Sequence, residues 1–354
     1  MPNSRTSGID RRLFLSSVLG AAAGVAGLSG CAGSSAAADS KDALSAPLAA
    51  KVPAGTGLTI ASYLGTQQLQ LKLGKLGTLP FKVSWANIGA GPDVINAFRA
   101  GSLDVGNNAG IPPIQAHFQN YDAKIVAINI TRKPNYLFAT KPGSDIHTVD
   151  DFKGKKLAFS QGQAQGVVLL RALKKAGLSY DEVKLVPLTS NQFLTALQSG
   201  QVDVAPLANS QAPAYLKQYE AKGARSITTD VVDLLNLLWA PTSVLSDPAK
   251  AAAVAAYIPF WAKGQVWTYE NPDIWNEDFY VKTQNLTLDQ AKAVTALANK
   301  PLFPPSWAEA IKWEQETADL LAEGGFVKKF DVGVLFDHRF EGIAAKAVPA
   351  EYRR

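Results

Sequence analysis

The sequence predicts an α/β protein in which two doubly wound lobes are separated by a cleft. Its 354 residues are too many for one ordinary core and suit two domains. Short apolar strands alternate with helical segments, which is typical of parallel sheets covered by helices on both faces. The order of these elements also occurs twice, so each lobe is expected to contain one copy.

The internal repeat is clearest where a helix ends in each copy. Residues 97–106 read AFRAGSLDVG and residues 196–205 read ALQSGQVDVA. Gly101 and Gly200 each suit the left-handed turn that ends a helix before a strand. The strands predicted upstream lie at 58–62 and 82–85 in the first copy and at 156–160 and 184–187 in the second. Helices are predicted to start near Gln68 and Val167.

The residues after about Thr242 are mostly helical. The predicted helices cover 248–264 with a kink at Pro259, then 288–299, then 307–324. Two pairs have the spacing of capping boxes at the last two helix starts, namely Thr287 with Gln290 and Ser306 with Glu309.

These elements predict how the chain is divided between the lobes. The first lobe comprises 56–138 and 243–354, and the second lobe comprises 143–237. The crossing segments 136–142 and 238–242 are the predicted hinge. In such a fold, a ligand binds in the shared cleft at the carboxyl ends of the strands.

Residues 1–30 are typical of an export signal. Arg11 and Arg12 precede Leu-Phe-Leu and an uncharged stretch rich in Ala, Gly and Leu, which resembles a twin-arginine signal. The stretch ends in Leu-Ser-Gly-Cys, which resembles a bacterial lipobox, so Cys31 is the predicted lipidation site. The alternative is a plain transmembrane anchor with an incidental cysteine.

Residues 31–55 are rich in Ala, Ser and Gly and are predicted to be a flexible tether. Acyl chains on Cys31 would hold the protein on a membrane. We therefore expect an exported protein that is lipid-anchored to the outer face of the cell membrane, in a periplasm or at a cell surface.

Composition and motifs exclude several function classes. With 47% hydrophobic and 18% charged residues the chain is globular, and its net charge of +5 includes no basic stripe that would indicate nucleic acid. A single cysteine excludes a disulfide framework and a cysteine-based zinc site. We expect no metal, cofactor or catalytic residue, because the common nucleophile, zinc and phosphate-loop motifs are missing from the sequence. The three histidines are expected to be structural or solvated.

The loops at the predicted strand ends are rich in amide and hydroxyl side chains and contain no carboxylate. They cover 62–67, 89–92, 107–113, 160–166, 189–192 and 209–213. An acid-free cleft at several helix N-termini favours an anion, because free N–H groups there stabilise negative charge. Taken singly, each amide is better explained by ordinary loop solvation; taken together, they favour an anion.

The candidate ligand-binding residues come from these loops. They are Thr66, Gln67, Gly91 and Asn108 in the first lobe and Ser160, Gln163, Gln165, Gln192 and Asn209 in the second. Trp239, on a crossing segment, could form a wall of the cleft, whereas core packing is the default role of the other tryptophans. Arg132 is the nearest candidate cation, although a solvated surface arginine fits the sequence equally well.

Several stretches in a fixed order resemble the solute-binding proteins of ABC importers for aliphatic sulfonates, nitrate and taurine. They are IGAGP at 88–92, AGSLDVG at 100–106, IPPI at 111–114, DFKGKKLA at 151–158, LLRAL at 169–173 and AGL at 176–178. The resemblance covers about residues 58–240. It implies a type II periplasmic-binding-protein fold that closes on its solute and delivers it to a permease with its ATPase. Residues 107–110 and 209–213 depart from the sulfonate-binding pattern, so the resemblance does not fix the solute.

Together, these observations predict a lipid-anchored, monomeric receptor that captures a small anionic organic solute, such as an aliphatic sulfonate, for an ABC permease and its ATPase. The lobes are expected to close around the solute. Two alternatives remain open. One is an enzyme of the thiamine-pyrimidine-precursor type on the same fold, and the other is a lipid-anchored sensor that passes its solute to a signalling partner.

Overall fold

The computed structural model describes residues 44–354. The predicted signal peptide at 1–30, Cys31 and the tether as far as residue 43 lie outside the described residues. The remainder of the predicted tether is 44–55, of which residues 46–55 form neither helix nor strand. Its Leu44, Leu48 and Val52 are partly buried and pack against the core.

Strands and helices alternate in two successive sets, and a largely helical set follows them. The first set is β1 (Gly57–Ala61), α1 (Thr66–Leu73), β2 (Lys82–Ala86), α2 (Gly91–Arg99), β3 (Gly106–Ala109), α3 (Ile111–Phe118) and β4 (Ala123–Ile130). The second set is β5 (Tyr136–Thr140), β6 (Lys156–Phe159), α4 (Ala164–Lys175), β7 (Lys184–Pro187), α5 (Phe193–Gln198), β8 (Val204–Ala208), α6 (Ala212–Tyr219) and β9 (Ser226–Ile227). The last set is β10 (Leu235–Pro241), α7 (Thr242–Leu245), α8 (Pro248–Glu270), α9 (Pro272–Trp275), a π-helix (Asn276–Val281), α10 (Leu288–Ala296), α11 (Ala308–Glu323) and α12 (Ile343–Ala347).

The two lobes have sheets of the same strand order. In the second lobe the order is β7-β6-β8-β5-β9, with β5 antiparallel to both of its neighbours. In the first lobe, β2-β1 adjoins β3-β10-β4 through the bridge between Ile60 and Val105, and β10 is antiparallel to both of its neighbours. The prediction of two α/β lobes is therefore confirmed, with one antiparallel strand in each sheet.

An aspartate in each copy of the repeat joins the turn after a helix to a neighbouring strand. Asp104 accepts a hydrogen bond from the Thr59 N–H of β1 (2.7 Å) and pairs with Lys250 (2.7 Å). At the equivalent position, Asp203 accepts from the first N–H of β6 (2.8 Å) and pairs with Lys141 (2.7 Å). Burial alone would raise the pKa of Asp203, but these two partners together lower it. The aspartate that the two copies share therefore has the same structural role in each lobe.

The two crossings between the lobes begin five and ten residues earlier than predicted. The predicted crossing segments 136–142 and 238–242 coincide with β5 and with the end of β10, so they belong to sheets. Both are mainly apolar runs, and the sheets bury them as central strands. The segments that connect the lobes are 131–135, the first linker, and 228–234, the second linker.

Among the C-terminal helices, α8 is longer than predicted. Helix α8 passes through Pro259 and Gly264 and ends at Glu270. Gly264 lies where α1 packs closely on α8, and a Cβ on Gly264 would make a tight contact of 3.1 Å with Gln70 Oε1. The helix therefore continues past a residue that would ordinarily indicate its end.

Of the two predicted capping boxes, one is confirmed. Thr287 Oγ1 accepts from the Gln290 N–H (3.3 Å), and Gln290 Oε1 accepts from the Thr287 N–H (2.9 Å). The box of Ser306 and Glu309 is wrong, because the Glu309 carboxylate pairs with Arg132 of the first linker instead. This acid joins two distant parts of the chain rather than capping its own helix.

Apolar side chains of both sheets and of the C-terminal helices form one extensive core. Its largest fully buried members include Trp239, Trp261 and Tyr257. A smaller cluster around Phe193 and Leu197 packs on the second-lobe sheet. Within residues 44–354, no helix combines the length and apolar composition needed to cross a bilayer.

We predict that Asp104→Ala and Asp203→Ala each lower the free energy of unfolding by about 1–3 kcal/mol. Each variant leaves a strand N–H and a lysine without their charged acceptor. The measurement is urea denaturation of each variant against the unchanged protein. Asp145→Ala is the control, since that side chain is 85% exposed in its pair with Lys155 and its loss should change the stability much less. Equal losses for all three variants would contradict the structural role of the repeat aspartates.

Candidate functional site

The candidate site is the cleft where the carboxyl ends of the parallel strands of the two lobes face each other. The lobes touch there, because Gln115 of α3 donates a hydrogen bond from Nε2 to the Gln161 carbonyl oxygen (3.2 Å). Gly91 begins α2, and a Cβ on it would lie 3.1 Å from the Gly162 carbonyl oxygen just before α4. The N-terminal ends of one helix from each lobe therefore come close together.

On the first-lobe side, three amide side chains form a hydrogen-bonded chain. Asn107 donates from Nδ2 to the Leu237 carbonyl oxygen (2.9 Å) and to Asn236 Oδ1 (2.9 Å). A carbonyl can only accept, so it fixes which end of the Asn107 amide is oxygen. Asn107 Oδ1 then accepts from Gln67 Nε2 (2.9 Å).

This arrangement leaves Gln67 Oε1 as a buried acceptor without a partner among the described residues. Gln67 is 6% exposed, and an unpaired buried acceptor costs free energy until water or a ligand donates to it. The candidate Gln67 is thus held in place by its amide nitrogen. The sequence analysis missed Asn236; the available signal was a lone amide inside the apolar run 234–239.

Asn108 and Trp239 are joined to each other inside the first lobe. Asn108 Oδ1 accepts from Trp239 Nε1 (2.9 Å), and its Nδ2 donates to the Gly89 carbonyl oxygen (2.8 Å). Trp239 is completely buried and packs edge-to-face on Phe98, with 4.8 Å between ring centroids. The expectation that Trp239 walls the cleft is therefore wrong, because β10 turns this ring into the core.

The other two first-lobe candidates stabilise the backbone near the cleft. Thr66 Oγ1 donates to the Tyr63 carbonyl oxygen (2.6 Å) at the start of α1. Gly91 is buried, and a Cβ on it would lie 2.5 Å from Pro112 Cγ, so only glycine allows this approach of α2 and α3.

On the second-lobe side, two candidates combine with a third residue of the predicted cleft loops. Ser160 Oγ donates to Gln163 Oε1 (2.6 Å), and Gln163 Nε2 donates to Ser190 Oγ (2.8 Å). The Ser190 N–H also donates to Gln163 Oε1 (2.8 Å). A Cβ on Gly166 would overlap the Ser160 carbonyl oxygen, so the first turn of α4 packs directly on this cluster.

The remaining second-lobe candidates are not part of that cluster. Gln192 is exposed, and its Oε1 accepts from the Thr189 N–H (2.9 Å) in a capping box. Asn209 donates from Nδ2 to the Pro134 carbonyl oxygen of the first linker (3.1 Å). Gln165 lies partly buried in the first turn of α4.

The two linkers are bonded to each other and to both lobes. The Thr131 N–H of the first linker donates to the Leu234 carbonyl oxygen of the second (2.8 Å). Asn299 Oδ1 accepts from the Lys133 N–H (2.6 Å), and Asn299 Nδ2 donates to Asn135 Oδ1 (2.6 Å). With Asn209 on the other side, the first linker is fixed by one asparagine from each lobe.

A buried carboxyl group reaches the cleft from a distant part of the sequence. Glu314 of α11 is 1% exposed, and a Cβ on Gly110, immediately before α3, would overlap its Oε2. The expectation of an acid-free cleft is therefore wrong, because α11 inserts an acid beside a cleft loop. Burial raises the pKa of Glu314 to about 8, which nearby Asp233 also favours and Arg171 opposes. At neutral pH, Glu314 is mainly protonated.

Arg171 connects this acid to the second lobe. It lies on α4, donates from Nη2 to Thr317 Oγ1 of α11 (2.8 Å) and places its guanidinium 3.9 Å from the centre of the Trp313 ring. Asp233 of the second linker and the exposed Glu316 of α11 are the other acids near it. Burial raises the pKa of Asp233 to about 7. Glu314, Asp233 and Arg171 thus share a poorly solvated region between the lobes.

The candidate cation Arg132 already has an anionic partner. Its two guanidinium nitrogens bind the two carboxylate oxygens of Glu309, and this hydrogen bonding raises the pKa of Arg132. Both side chains are about half exposed. Arg132 therefore joins the first linker to α11 and is not a free site for an anion.

We predict that the protein loses stability as the pH rises from about 5 to 8, and that Glu314→Gln reduces this loss. Between 4.5, the ordinary pKa of the carboxyl group, and about 8, folded Glu314 keeps a proton that the unfolded chain releases. The free energy of unfolding then falls with pH, at most by about 1.4 kcal/mol per pH unit for one group. The measurement is urea denaturation at several pH values.

Glu316→Gln is the control for this prediction, because Glu316 is exposed on the same helix and also lies near Arg171. This variant should keep the slope of the unchanged protein. Some slope should remain in Glu314→Gln, since Asp233 titrates in a similar range. An unchanged slope in Glu314→Gln would show that this carboxyl is ionised in the folded state.

Comparison with known proteins identifies relatives of this chain. The profile of the NMT1/THI5-like family matches residues 84–258. A protein of Escherichia coli (strain K12) that is named as an aliphatic sulfonates-binding protein is 29% identical over 259 residues, which cover 71% of this chain and 78% of that protein.

Two solved structures have the same architecture. The periplasmic aliphatic sulphonate binding protein SsuA from Escherichia coli superposes with a TM-score of 0.65 and 26% identity, over 79% of this chain and 91% of that chain. The alkanesulfonate-binding protein SsuA from Xanthomonas axonopodis pv. citri, bound to MOPS, gives a TM-score of 0.70 over 81% and 99%, and at 23% identity this likeness concerns the fold alone. The chain therefore contains an NMT1/THI5-like domain, has the periplasmic-binding-protein fold and is homologous to the aliphatic sulfonate-binding proteins.

Proposed function

We propose that this protein is the exported solute-binding component of an ABC importer, and that it captures a small organic anion of the aliphatic-sulfonate type between its lobes. The observation that carries this proposal is the close approach of Gly91 at the start of α2 to Gly162 just before α4. Two helix N-termini from different lobes can then act on one solute, and each favours negative charge.

The side chains around these helix ends suit an anion better than a cation. The first turns of α1 and α4 contain no acidic residue, and the one acid in the first turn of α2, Asp93, is exposed. Gln67, Ser160, Gln163 and Ser190 supply neutral polar groups at the same two places. The one acid at α3, Glu314, is mainly protonated at neutral pH and so adds little negative charge. Homology to proteins named for binding sulfonates supports the same chemistry.

The proposed contacts are a subset of the residues that the sequence singled out. Gln67, Gly91, Ser160 and Gln163 surround the helix ends, and Thr66 and Gln165 occupy the first turns of the same helices. The remaining four candidates stabilise the protein and are not proposed to contact the solute. They are Asn108, Gln192, Asn209 and Trp239, which bond or pack within the protein.

The proposed role in transport adds membrane anchoring and delivery to a permease to this solute binding. The monomer would be anchored through lipid on Cys31 after export by the twin-arginine signal, and the closed lobes would present the solute to a permease with its ATPase. The linkers 131–135 and 228–234 would act as the hinge, because the connections between the two sheets are confined to them.

The first test is a thermal-shift series with ethanesulfonate, taurine, nitrate, sulfate and two organic cations. A sulfonate at one hundred times its Kd should stabilise the folded protein by about 2.7 kcal/mol and raise Tm by several degrees. The cations should leave Tm unchanged. A shift with cations alone would contradict the proposed anion site.

The second test compares adjacent glutamines on α1. Gln67→Ala should weaken sulfonate binding about tenfold or more by calorimetry, because it breaks the amide chain at the start of α1. Gln68→Ala is the control, since Gln68 is exposed on the same helix and should leave Kd unchanged. Equal Kd values for the two variants would show that Gln67 does not contribute to sulfonate binding.

The third test concerns closure. Gly91→Ala should weaken binding about tenfold or more, because its Cβ meets Pro112 and approaches the Gly162 carbonyl oxygen. Gly162→Ala is the control, because its Cβ would lie 3.6 Å from Pro92 Cγ, an ordinary contact distance. Small-angle scattering with and without sulfonate should show compaction in the control and less in Gly91→Ala. Compaction of the same size in both variants would show that closure does not need this glycine.

A further inference from the structure

The ring of Tyr63 is exposed at the cleft edge of the first lobe, in the loop that leads from β1 to α1. At 56% exposure, Tyr63 is the most exposed of the large hydrophobic residues in the described range 44–354. A Cβ on Gly89 would lie 2.7 Å from Cγ of this ring, so the ring packs directly on the Gly89 backbone. Among the described residues, no other aromatic ring packs on Tyr63. One side of the ring is therefore held by the protein, and the rest is open.

This ring is close to the groups that are proposed to hold the anion. Gly89 precedes Gly91, the start of α2, by two residues, and two residues span at most about 7 Å. The Gly89 carbonyl oxygen accepts from Asn108 Nδ2 (2.8 Å), and the Tyr63 carbonyl oxygen accepts from Thr66 Oγ1 (2.6 Å). The ring thus adjoins the starts of both α1 and α2, so one small solute can touch a helix start and the ring together.

The ring occupies the end of the cleft that lies away from the hinge. In the first-lobe sheet, β2 and β1 are at one edge, whereas β10 and β4, which join the two linkers, are at the other. Tyr63 follows β1, and Gly89 follows β2. A solute that packs on this ring is therefore covered at the open end of the cleft.

The backbone of this loop is fixed in an unusual conformation. Leu64 has a φ of +51°, in the left-handed region that costs free energy for a residue other than glycine. Its N–H donates to Asn87 Oδ1 (2.8 Å), and the Gly65 N–H donates to the Ser62 carbonyl oxygen (3.0 Å). These bonds hold the turn and keep Tyr63 in place, so little further freedom is lost when a solute packs on the ring.

The other proposed contacts provide no large apolar surface for the carbon part of a solute. They are polar side chains or glycine, namely Thr66, Gln67, Gly91, Ser160, Gln163 and Gln165. The carbon atoms of an organic anion favour binding where they leave water for an apolar surface. The open side of the Tyr63 ring is such a surface, and a carbon chain that covers it removes apolar area of both partners from water.

We infer that Tyr63 is a specificity-determining residue of the solute site: its ring covers the carbon chain of a sulfonate whose anionic group lies at the helix starts. This inference rests on the proposed function. It adds that the preferred solute carries a chain of several carbons, since an inorganic anion or methanesulfonate would leave the ring uncovered.

The test is isothermal titration of the full protein with methanesulfonate and hexane-1-sulfonate. Hexane-1-sulfonate should bind at least about tenfold more tightly, because each methylene that leaves water favours binding. Tyr63→Ala should reduce this preference to about threefold or less, whereas Tyr63→Phe, which keeps the ring, should retain it. Gly89→Ala should also reduce the preference, because its Cβ displaces the ring although the tyrosine is present.

Tyr269→Ala is the control, since Tyr269 is 39% exposed at the end of α8 and should leave the preference unchanged. Equal Kd values for the two sulfonates, or an unchanged preference in Tyr63→Ala, would overturn the inference while leaving an anion-binding receptor. A loss in Tyr63→Phe as large as in Tyr63→Ala would also overturn it, because the hydroxyl group rather than the ring would then contact the solute. If neither sulfonate binds, the proposed function fails and the inference fails with it.

Discussion

Each lobe depends on one antiparallel strand, and the position of that strand determines where the cleft can be. β5 and β10 are the first strands that the chain forms after it crosses from one lobe to the other. An antiparallel strand begins at the sheet edge where its neighbour ends, so β10 starts beside the end of β4. Both linkers can then be short and lie at the cleft edge of each sheet. Helix N-termini converge on the same edge, which is why the polar clusters lie next to the linkers.

The cleft is built from polar groups that are largely paired within the protein. The chain of Gln67, Asn107 and Asn236 and the cluster of Ser160, Gln163 and Ser190 each fix their side chains by hydrogen bonds. Fixed polar groups lose little further freedom when a solute binds, so more of the interaction energy contributes to affinity. Gln67 Oε1 and Glu314 Oε1 are exceptions on the first-lobe side, since neither has a hydrogen-bond partner among the described residues.

The sequence predicted the regular parts of this protein well, because strand and helix patterns are local. The repeat around Gly101 and Gly200, the strand bounds and the Thr287 cap all follow from neighbouring residues. It predicted the cleft loops less completely. Glu314 comes from a helix more than two hundred positions after Gly110, and no local pattern indicates that the two will meet. The same limit applies to Trp239, whose direction depends on the register between β10 and its neighbours.

Helix α11 contacts both lobes, and its contacts differ greatly in strength. The ion pair of Lys174 with Glu323 is about half exposed on both sides, and such pairs contribute about 0–1 kcal/mol. Arg171 is more important, because its guanidinium lies 3.9 Å from the Trp313 ring centre in a poorly solvated place, where a cation–π contact is worth about 2 kcal/mol. Its bond to Thr317 adds a second restraint. Separation of the lobes must therefore either break the Arg171 contacts or move α11 together with α4. If α11 moves together with α4, it must lose its contacts with Gly110 and the first linker. In both cases contacts of α11 are broken, so this helix opposes opening.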